Sequence, residues 1–281
     1  MIKTFNEQYC RDYDGFIKKA LKLQQRGNWI FRGHKTTDWK LQTKFERVCD
    51  RFEIRASDRP RIEKNMVREF QRRLHHYTGD VPDKGANDEW MALMQHHGAP
   101  TRLLDFTYSP YVAAYFAFEN AEADKHVAVW AVNVAWCEER LEQLDEGLAA
   151  EYARYGEDRK PKSFDVIFMH PDNRHRLVLT VNPFRLNERL AYQRGVFLCP
   201  GDVAAGFMEN LSDFSGDEQP KDQVIQFAIP TGAHNKNTIS ALKQLDLMNI
   251  NRIALFPGLD GFAQSFSTRI PTIFIQQYGH E

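Results

Sequence analysis

Residues 95–117 read QHHGAPTRLLDFTYSPYVAAYFA, a dense polar run set between two apolar segments. The segment before it, EWMALMQHH, predicts a helix that ends at Gly98. Residues 103–106 predict a short strand. Ser109, followed by proline, predicts the start of an apolar helix over residues 110–118, because serine is favoured as an N-cap and proline as the first helical residue. Polar groups in apolar surroundings must bond to one another or face a cleft, so this run predicts a polar site between a strand and two helices.

Outward from this run, helices and strands alternate without the regular rhythm of βαβ units. The further predicted helices cover residues 12–26, 43–56, 60–76, 136–150 and 235–247. The further predicted strands cover residues 29–31, 126–134, 164–168, 176–181, 195–198, 223–229 and 270–276. This order predicts an α+β fold with a mixed or antiparallel sheet core and a mainly helical N-terminal part. Because we find no internal repeat and no clear linker, residues 1–281 are predicted to form a single domain.

The composition is that of a globular protein. Of 281 residues, 42% are hydrophobic and 27% are charged, which excludes a chain disordered throughout. The four cysteines are far apart and form no CxxC pair, which predicts free thiols rather than a zinc ribbon or a disulfide framework. No apolar stretch reaches the length of a membrane helix, and the first residues lack the apolar core of a signal peptide. We therefore expect a cytoplasmic protein without a membrane partner.

Charge is unevenly distributed along the chain. Residues 1–80 hold 19 Lys and Arg against 11 Asp and Glu, a net +8, whereas the remainder holds 18 against 27, a net −9. The basic, mainly helical region of about residues 1–80 is either a solvated surface or a face for nucleic acid, nucleotide phosphates or an acidic partner. Acidic residues are interleaved in it, which makes a continuous basic stripe harder to build.

Several catalytic motifs are missing. The sequence contains no GxxxxGK[ST], no strand followed by GxGxxG, no HExxH and no GxSxG. The adjacent His96 and His97 would point about 100° apart on a helix, so they are poor joint ligands and we predict no metal site.

Three clusters remain as candidates for chemistry. Arg32, at the end of a short apolar strand, would either grip a phosphate or carboxylate or form a structural salt bridge, and Gly33 beside it permits close backbone approach. The second cluster covers residues 95–110. In it, Arg102 and Asp105 would either face a ligand or pair with each other, and Ser109 would either belong to the site or only cap its helix. The third cluster, residues 189–197, is a site segment or an edge strand with solvated polar residues.

Together these clusters resemble the FRG domain family, named for its Phe-Arg-Gly tripeptide. The matching segments are WIFRGH (29–34), QHHGAPTRLLDFTYSPYVAAYFA (95–117), RLAYQRGVF (189–197) and LFPGLDG (255–261), in the family's order.

The same segments resemble, more remotely, the ADP-ribosyltransferases, which carry an aromatic-Arg-Gly strand, a Ser-Thr-Ser motif before a helix, and a glutamate shortly before a Gly and a Phe. The resemblance implies an ADP-ribosyltransferase-like fold with NAD bound as the substrate. Arg32 would bind the NAD pyrophosphate or ribose, and Thr107 and Ser109 would support it. Tyr108 would stack on an aromatic ring. The remaining cofactor-binding residues that the resemblance implies are Gly33, His97, Arg102 and Asp105.

The sequence departs from that pattern at the third motif. The expected glutamate is not plainly present, and the candidates for the catalytic position are Glu188 and the uncharged Gln193, with Asp105 as another carboxylate. The implied activity is transfer of ADP-ribose to a protein or nucleic acid, or hydrolysis of NAD, in a bacterial toxin or anti-phage effector. The alternative is a non-enzymatic module that binds nucleic acid or an acidic protein through the basic N-terminal helices.

Overall fold

A seven-stranded mixed sheet forms the centre of the computed structural model, which describes residues 5–79, 81–158, 161–170, 175–185, 188–216 and 222–274. Its strands are β1 (Asn6–Tyr9), β2 (Trp29–His34), β3 (Leu104–Thr107), β4 (His126–Asn133), β5 (Val178–Val181), β6 (Gly195–Pro200) and β7 (Val224–Pro230). The strand order is β1-β7-β4-β2-β3-β6-β5, with β1 and β7 parallel and every other pair antiparallel. The prediction of an α+β fold with a mixed sheet is confirmed.

Helices cover both faces of this sheet. The thirteen α-helices of the described residues are α1 (Tyr13–Gln24), α2 (Lys44–Arg51), α3 (Arg59–Arg73), α4 (Asn87–His96), α5 (Pro110–Phe118), α6 (Val134–Leu144), α7 (Glu146–Asp158), α8 (Pro161–Phe164), α9 (Glu188–Tyr192), α10 (Phe207–Ser215), α11 (Lys236–Leu247), α12 (Arg252–Leu255) and α13 (Leu259–Arg269). Helices α1, α5 and α11 pack on one face, and α4, α6, α7 and α10 pack on the other. No helix in these described segments is long and apolar enough to cross a membrane.

Strand β4 shows why both faces must be covered. Its side chains alternate between the two core clusters, with Val127 and Val129 on the α5 side and Trp130 and Val132 on the other side. All four are fully buried. An antiparallel strand of continuous apolar residues is stable only between two layers, so the sheet is enclosed by helices on both faces.

Helix α5 lies closest to the sheet. Its predicted bounds are confirmed, and the Ser109 side chain caps it by accepting a 3.3 Å hydrogen bond from the Val112 amide. Gly33 on β2 permits this close packing. A Cβ atom on Gly33 would collide with the Ala113 carbonyl oxygen and lie 2.6 Å from the Ala117 nitrogen.

Two predicted strands are wrong. Residues 164–168 end helix α8 and form a π-helix over Asp165–Met169, and Ile270–Phe274 also form a π-helix. The last two residues of the predicted strand 270–276 lie outside the described residues. Short apolar runs bury equally well as a strand or as a helix, and periodicity alone does not separate the two.

The N-terminal region is mainly helical, as predicted, yet it contributes two strands. Polar β1 lies at the edge of the sheet, and β2 lies at its centre. The predicted helix 136–150 is two helices, α6 and α7, separated at Asp145. The first third of the chain is therefore part of the central sheet rather than a separate helical layer.

The sheet opens between β2 and β3. Phe31 and Thr107 are the single residue pair that joins these strands, whereas β2 pairs with β4 over all six of its residues. Beyond that pair the two strands diverge, and a gap forms in the middle of the sheet.

Candidate functional site

A cleft occupies the gap between β2 and β3. Its two halves share four lining residues, which are Arg32, Asp105, Arg189 and Gln193. The half on the side of α4 has a volume of about 210 Å³, and the half on the side of α5 has a volume of about 250 Å³. The first two clusters named in the sequence and the polar end of the third therefore meet at one place.

The two halves differ in chemistry. The α4 half is basic and polar, and its lining includes Lys44, Arg47, Gln95 and His96. The α5 half is aromatic and has one acid besides the shared Asp105. Its further lining residues are Phe31, Gly33, Phe106, Thr107, Phe116 and Glu119.

Arg32 lies where the two halves meet. Its Nε atom donates to His34 Nε2 at 3.0 Å, and its Nη1 atom donates to the Asp105 carbonyl oxygen at 2.6 Å. Both acceptors are uncharged, and Arg32 forms no salt bridge with a carboxylate in the described segments. Burial lowers the pKa of the guanidinium, and the nearby Asp105 charge opposes this effect. The structural salt bridge considered for Arg32 is therefore not formed, and its charge faces the cleft without a carboxylate partner.

His34 orients Arg32. Its Nε2 accepts from Arg32, and its Nδ1 lies 3.3 Å from the Trp39 carbonyl oxygen, so the imidazole carries its proton on Nδ1 and is neutral. Burial and the Arg32 charge lower the pKa of His34 to about 3. A neutral imidazole leaves the full charge of Arg32 available, because it accepts a hydrogen bond without adding a counter-charge.

Three further cations line the α4 half of the cleft together with Arg32. Lys44 donates to the Gly98 carbonyl oxygen, Arg47 donates to the Gln42 carbonyl oxygen, and Arg189 packs 4.7 Å above the Phe256 ring. None of the three has a carboxylate partner within the described ranges. Four cations of this kind beside one cleft favour an anionic ligand.

Two carboxylates line the same cleft. Asp105 Oδ2 accepts from Gln95 Nε2 at 2.9 Å. Glu119 Oε2 accepts from Arg252 Nη1 at 2.8 Å, and its side chain is 12% exposed. Burial raises the pKa of Glu119, and Arg252 opposes that rise.

Thr107 and Gln193 hold the two sides of the cleft together. Thr107 Oγ1 donates to the Gln193 carbonyl oxygen at 2.6 Å and accepts from the Ser109 amide at 3.0 Å. The Gln193 side chain donates to the Leu255 carbonyl oxygen at 3.1 Å. Through Gln193 the LFPGLDG segment is joined to the cleft, and Thr107 bonds to Gln193 and Ser109 rather than to Arg32.

Several predicted site residues have other roles. Tyr108 lines a separate 400 Å³ pocket with Glu138 and Tyr152, rather than the cleft of Arg32. Ser109 is bound to its helix as a cap, and Gly33, although it borders the cleft, is explained by the packing of α5.

Arg102 is a buried structural residue. Its Nε and Nη2 atoms bind the Glu63 carboxylate, and Nη1 donates to the carbonyl oxygens of Phe168 at 2.8 Å and Gly201 at 3.0 Å. Burial would lower the pKa of its guanidinium, but the Glu63 charge raises it. Arg102 pairs with neither Asp105 nor a ligand in the cleft.

His97 and Glu188 are exposed and do not line the cleft. His96 lines it instead, and burial together with His97 and Arg189 lowers the pKa of His96. In the described parts of the chain, no three His, Cys, Asp or Glu side chains form a group that could hold a metal ion.

Sequence reasoning did not single out several residues in or beside the cleft, which are His34, Lys44, Arg47, Phe116, Glu119 and Arg252. Two of them carried a signal. His34 directly follows the Phe-Arg-Gly tripeptide, and Glu119 is the first charged residue after an apolar helix. The cationic residues of α2 carried none, because they resemble the other charges of the N-terminal helices.

The model of the FRG domain family matches residues 27–126, and over that stretch the chain is similar to the FRG domain. The matched range includes Arg32, His34, Asp105 and Glu119, whereas Gln193 lies beyond it. Searches of curated proteins and of solved structures found no match.

Proposed function

We propose that the chain is an NAD-binding, ADP-ribosyltransferase-like protein that transfers ADP-ribose to a macromolecule or hydrolyses NAD. The role of a bacterial toxin or anti-phage effector belongs to the same proposal and rests on analogy alone. The observation that carries the proposal is Arg32, a guanidinium held by two neutral acceptors at the centre of a cleft.

The basic half of the cleft suits a pyrophosphate. Phosphate oxygens accept charge-assisted hydrogen bonds from guanidinium groups, often two at a time. Arg32 and Arg47 line this half together with Lys44, so two adjacent phosphates would find several cationic donors.

The α5 half suits the nicotinamide and its ribose. Phe116 offers a half-buried ring next to the Phe256 ring, with centroids 5.9 Å apart, and an aromatic base stacks on such a surface. Phe116 takes the stacking role predicted for Tyr108. Carboxylate and amide groups of Glu119 and Gln193 border the same space and suit the ribose hydroxyls.

The split in the sheet is consistent with this assignment. A ligand that carries a charged middle and an aromatic end would lie along the gap, with its phosphates toward α4 and its base toward α5. The ADP-ribosyltransferase-like character of the fold is part of the proposal and depends on this single opening between β2 and β3.

NAD binding and turnover are tested together. Purified protein is titrated with NAD in a calorimeter, and nicotinamide release is followed by chromatography. We expect binding and release in the wild type, and loss of binding by at least about tenfold in Arg32→Ala. Arg32→Lys should bind weakly, since an ammonium keeps the charge but loses the fork geometry.

Arg55→Ala serves as the matched control, because Arg55 pairs with Asp58 on the surface and is 82% exposed. It should bind NAD like the wild type. If the wild type neither binds NAD nor releases nicotinamide, the proposed function is wrong.

The alternative is a module that binds nucleic acid or an acidic protein without catalysis. One observation weighs against a broad basic surface on α3, where Arg72 and Arg73 lie within salt-bridge distance of Glu69. The cations without a carboxylate partner that line the cleft would then be the contact. Binding to a nucleic acid that weakens steeply with salt, in a protein that ignores NAD, would support this alternative.

A further inference from the structure

We propose that Glu119 is the catalytic carboxylate of the cleft and that Arg252 is a positioning residue that keeps it ionised. This inference rests on the proposed function, because it assigns the group that would act on NAD. The sequence offered three candidates for this position, which are Glu188, the uncharged Gln193 and Asp105. Glu119 comes instead from the end of α5.

The position of Glu119 carries the argument. It lines the α5 half of the cleft together with Arg32 and Gln193, directly beside the space assigned to the ribose. Arg252 Nη1 donates to its Oε2 atom at 2.8 Å, and the Tyr115 hydroxyl lies beside the same carboxylate. Glu188 is exposed and lines neither half. Asp105 lines both halves, but its side chain accepts from the neutral Gln95 amide rather than from a cation.

The ion pair with Arg252 is itself held in place. Arg252 also donates through Nη2 to Gln264 and packs 4.1 Å from the Phe256 ring, next to Leu255, whose carbonyl oxygen binds the Gln193 side chain. The Arg252 side chain is 21% exposed. A fixed cation at 2.8 Å would orient the carboxylate and favour its charged form.

The chemistry explains why a charge is needed. When the bond between ribose C1′ and the nicotinamide nitrogen breaks, its electron pair leaves with nicotinamide and positive charge develops on the ribose ring. The acceptor oxygen, from water or a macromolecule, then bonds to C1′ and releases its proton. A carboxylate beside the ring stabilises that charge only if it is ionised.

The charged and titratable groups that face Glu119 predict a pH dependence. Burial opposes the ionised form of Glu119, whereas Arg252 from α12, a hydrogen bond with Tyr115 and the charge of Arg189 from α9 favour it. Arg32 from β2 and Asp105 from β3 line the same half of the cleft. Tyr115, one turn earlier on α5, lies beside the carboxylate and remains neutral. Because Arg252 is the largest of the opposing charges on Glu119, its removal should raise the pH at which the carboxylate ionises.

The test measures NAD binding and the pH profile of nicotinamide release in four variants. Glu119→Gln should keep NAD affinity within about threefold and lose at least about a hundredfold in kcat. Arg252→Gln should move the acidic limb of the profile upward by about one to three pH units, and Arg252→Lys should restore it in part. Glu122→Gln is the matched control, since Glu122 pairs with Lys35 at the surface, and it should match the wild type.

The results that would overturn the inference differ from those that would overturn the proposed function. Full turnover in Glu119→Gln overturns the inference and leaves the proposed function intact. If Arg252→Gln lowers kcat equally at every pH and leaves the acidic limb in place, the inference is also overturned and the proposed function stays intact. A purely structural ion pair would behave in that way. A wild type that binds NAD without releasing nicotinamide overturns the assignment of catalysis altogether, and a wild type that does not bind NAD overturns the proposed function as well.

Discussion

The buried pair of Arg102 and Glu63 offers a sharp test of how the polar run is used. The side chains are 3% and 4% exposed, and the guanidinium binds the carboxylate through two nitrogens. Glu63→Gln keeps the shape of the side chain and removes its charge. The guanidinium would then remain buried with only neutral acceptors, which are the newly introduced side-chain amide and the carbonyl groups of the neighbouring loops.

The expected cost follows from this burial. Removing one partner of a buried ion pair costs about 3–5 kcal/mol, and the low end of that range applies because the new amide oxygen still accepts a hydrogen bond. We therefore expect Glu63→Gln to lower the free energy of unfolding by about 3 kcal/mol. NAD affinity of the folded protein should be unchanged, since Arg102 does not line the cleft.

Urea unfolding followed by tryptophan fluorescence measures the free energy of unfolding, and calorimetry measures the NAD affinity. Glu69→Gln is the matched control, because Glu69 lies on the same helix and pairs with Arg73 in solvent. Its cost should stay below about 1 kcal/mol. Equal costs for the two variants would refute the reasoning, and so would a stable Glu63→Gln protein with weakened NAD binding.

Two further predictions concern strand β2. Gly33→Ala should destabilise the protein by about 3 kcal/mol, the upper end of the usual cost of overpacking, because the new Cβ atom would collide with Ala113. Gly85→Ala, with open space around it, should cost little. For His34, the folded pKa of about 3 lies below the ordinary 6.5, so the unfolded chain binds a proton that the native state excludes. The stability advantage of wild type over His34→Gln should be complete above about pH 6.5 and fall by about 1.4 kcal/mol per pH unit below it. Paired urea titrations at several pH values measure this difference, and a difference independent of pH would contradict it.

Local signals predicted the elements that depend on their own residues. The bounds of α5 follow from a serine cap, a proline at the first position and an uninterrupted apolar sequence, and all three act within a short segment. The π-helix over residues 165–169 could not be predicted, because the conformation of so short an apolar run depends on the residues that pack on it. Polar β1 was missed since its strand character comes from pairing with β7, at the other end of the chain.

The residues of the site also divide into those with a local signal and those whose role depends on distant contacts. Arg32 was found because a charge at the end of an apolar strand demands an explanation at that position. The roles of Arg102 and Glu119 depend on Glu63 and Arg252, which are distant in sequence, so no local pattern predicted them. Tyr108 and Thr107 are adjacent and line different pockets, which a motif of consecutive letters does not reveal.

The single pair between Phe31 and Thr107 gives the protein an edge in the interior of its sheet. Backbone groups of β2 after Phe31, and of β3 before Thr107, have no strand partner across the gap. Arg32 satisfies one of them, the Asp105 carbonyl oxygen, with its own side chain. Exposed edges usually invite another strand, but helices on both faces of the sheet enclose this one. A ligand in the gap would thus complete the hydrogen bonding of the sheet, and occupancy should stiffen β2 and β3 together.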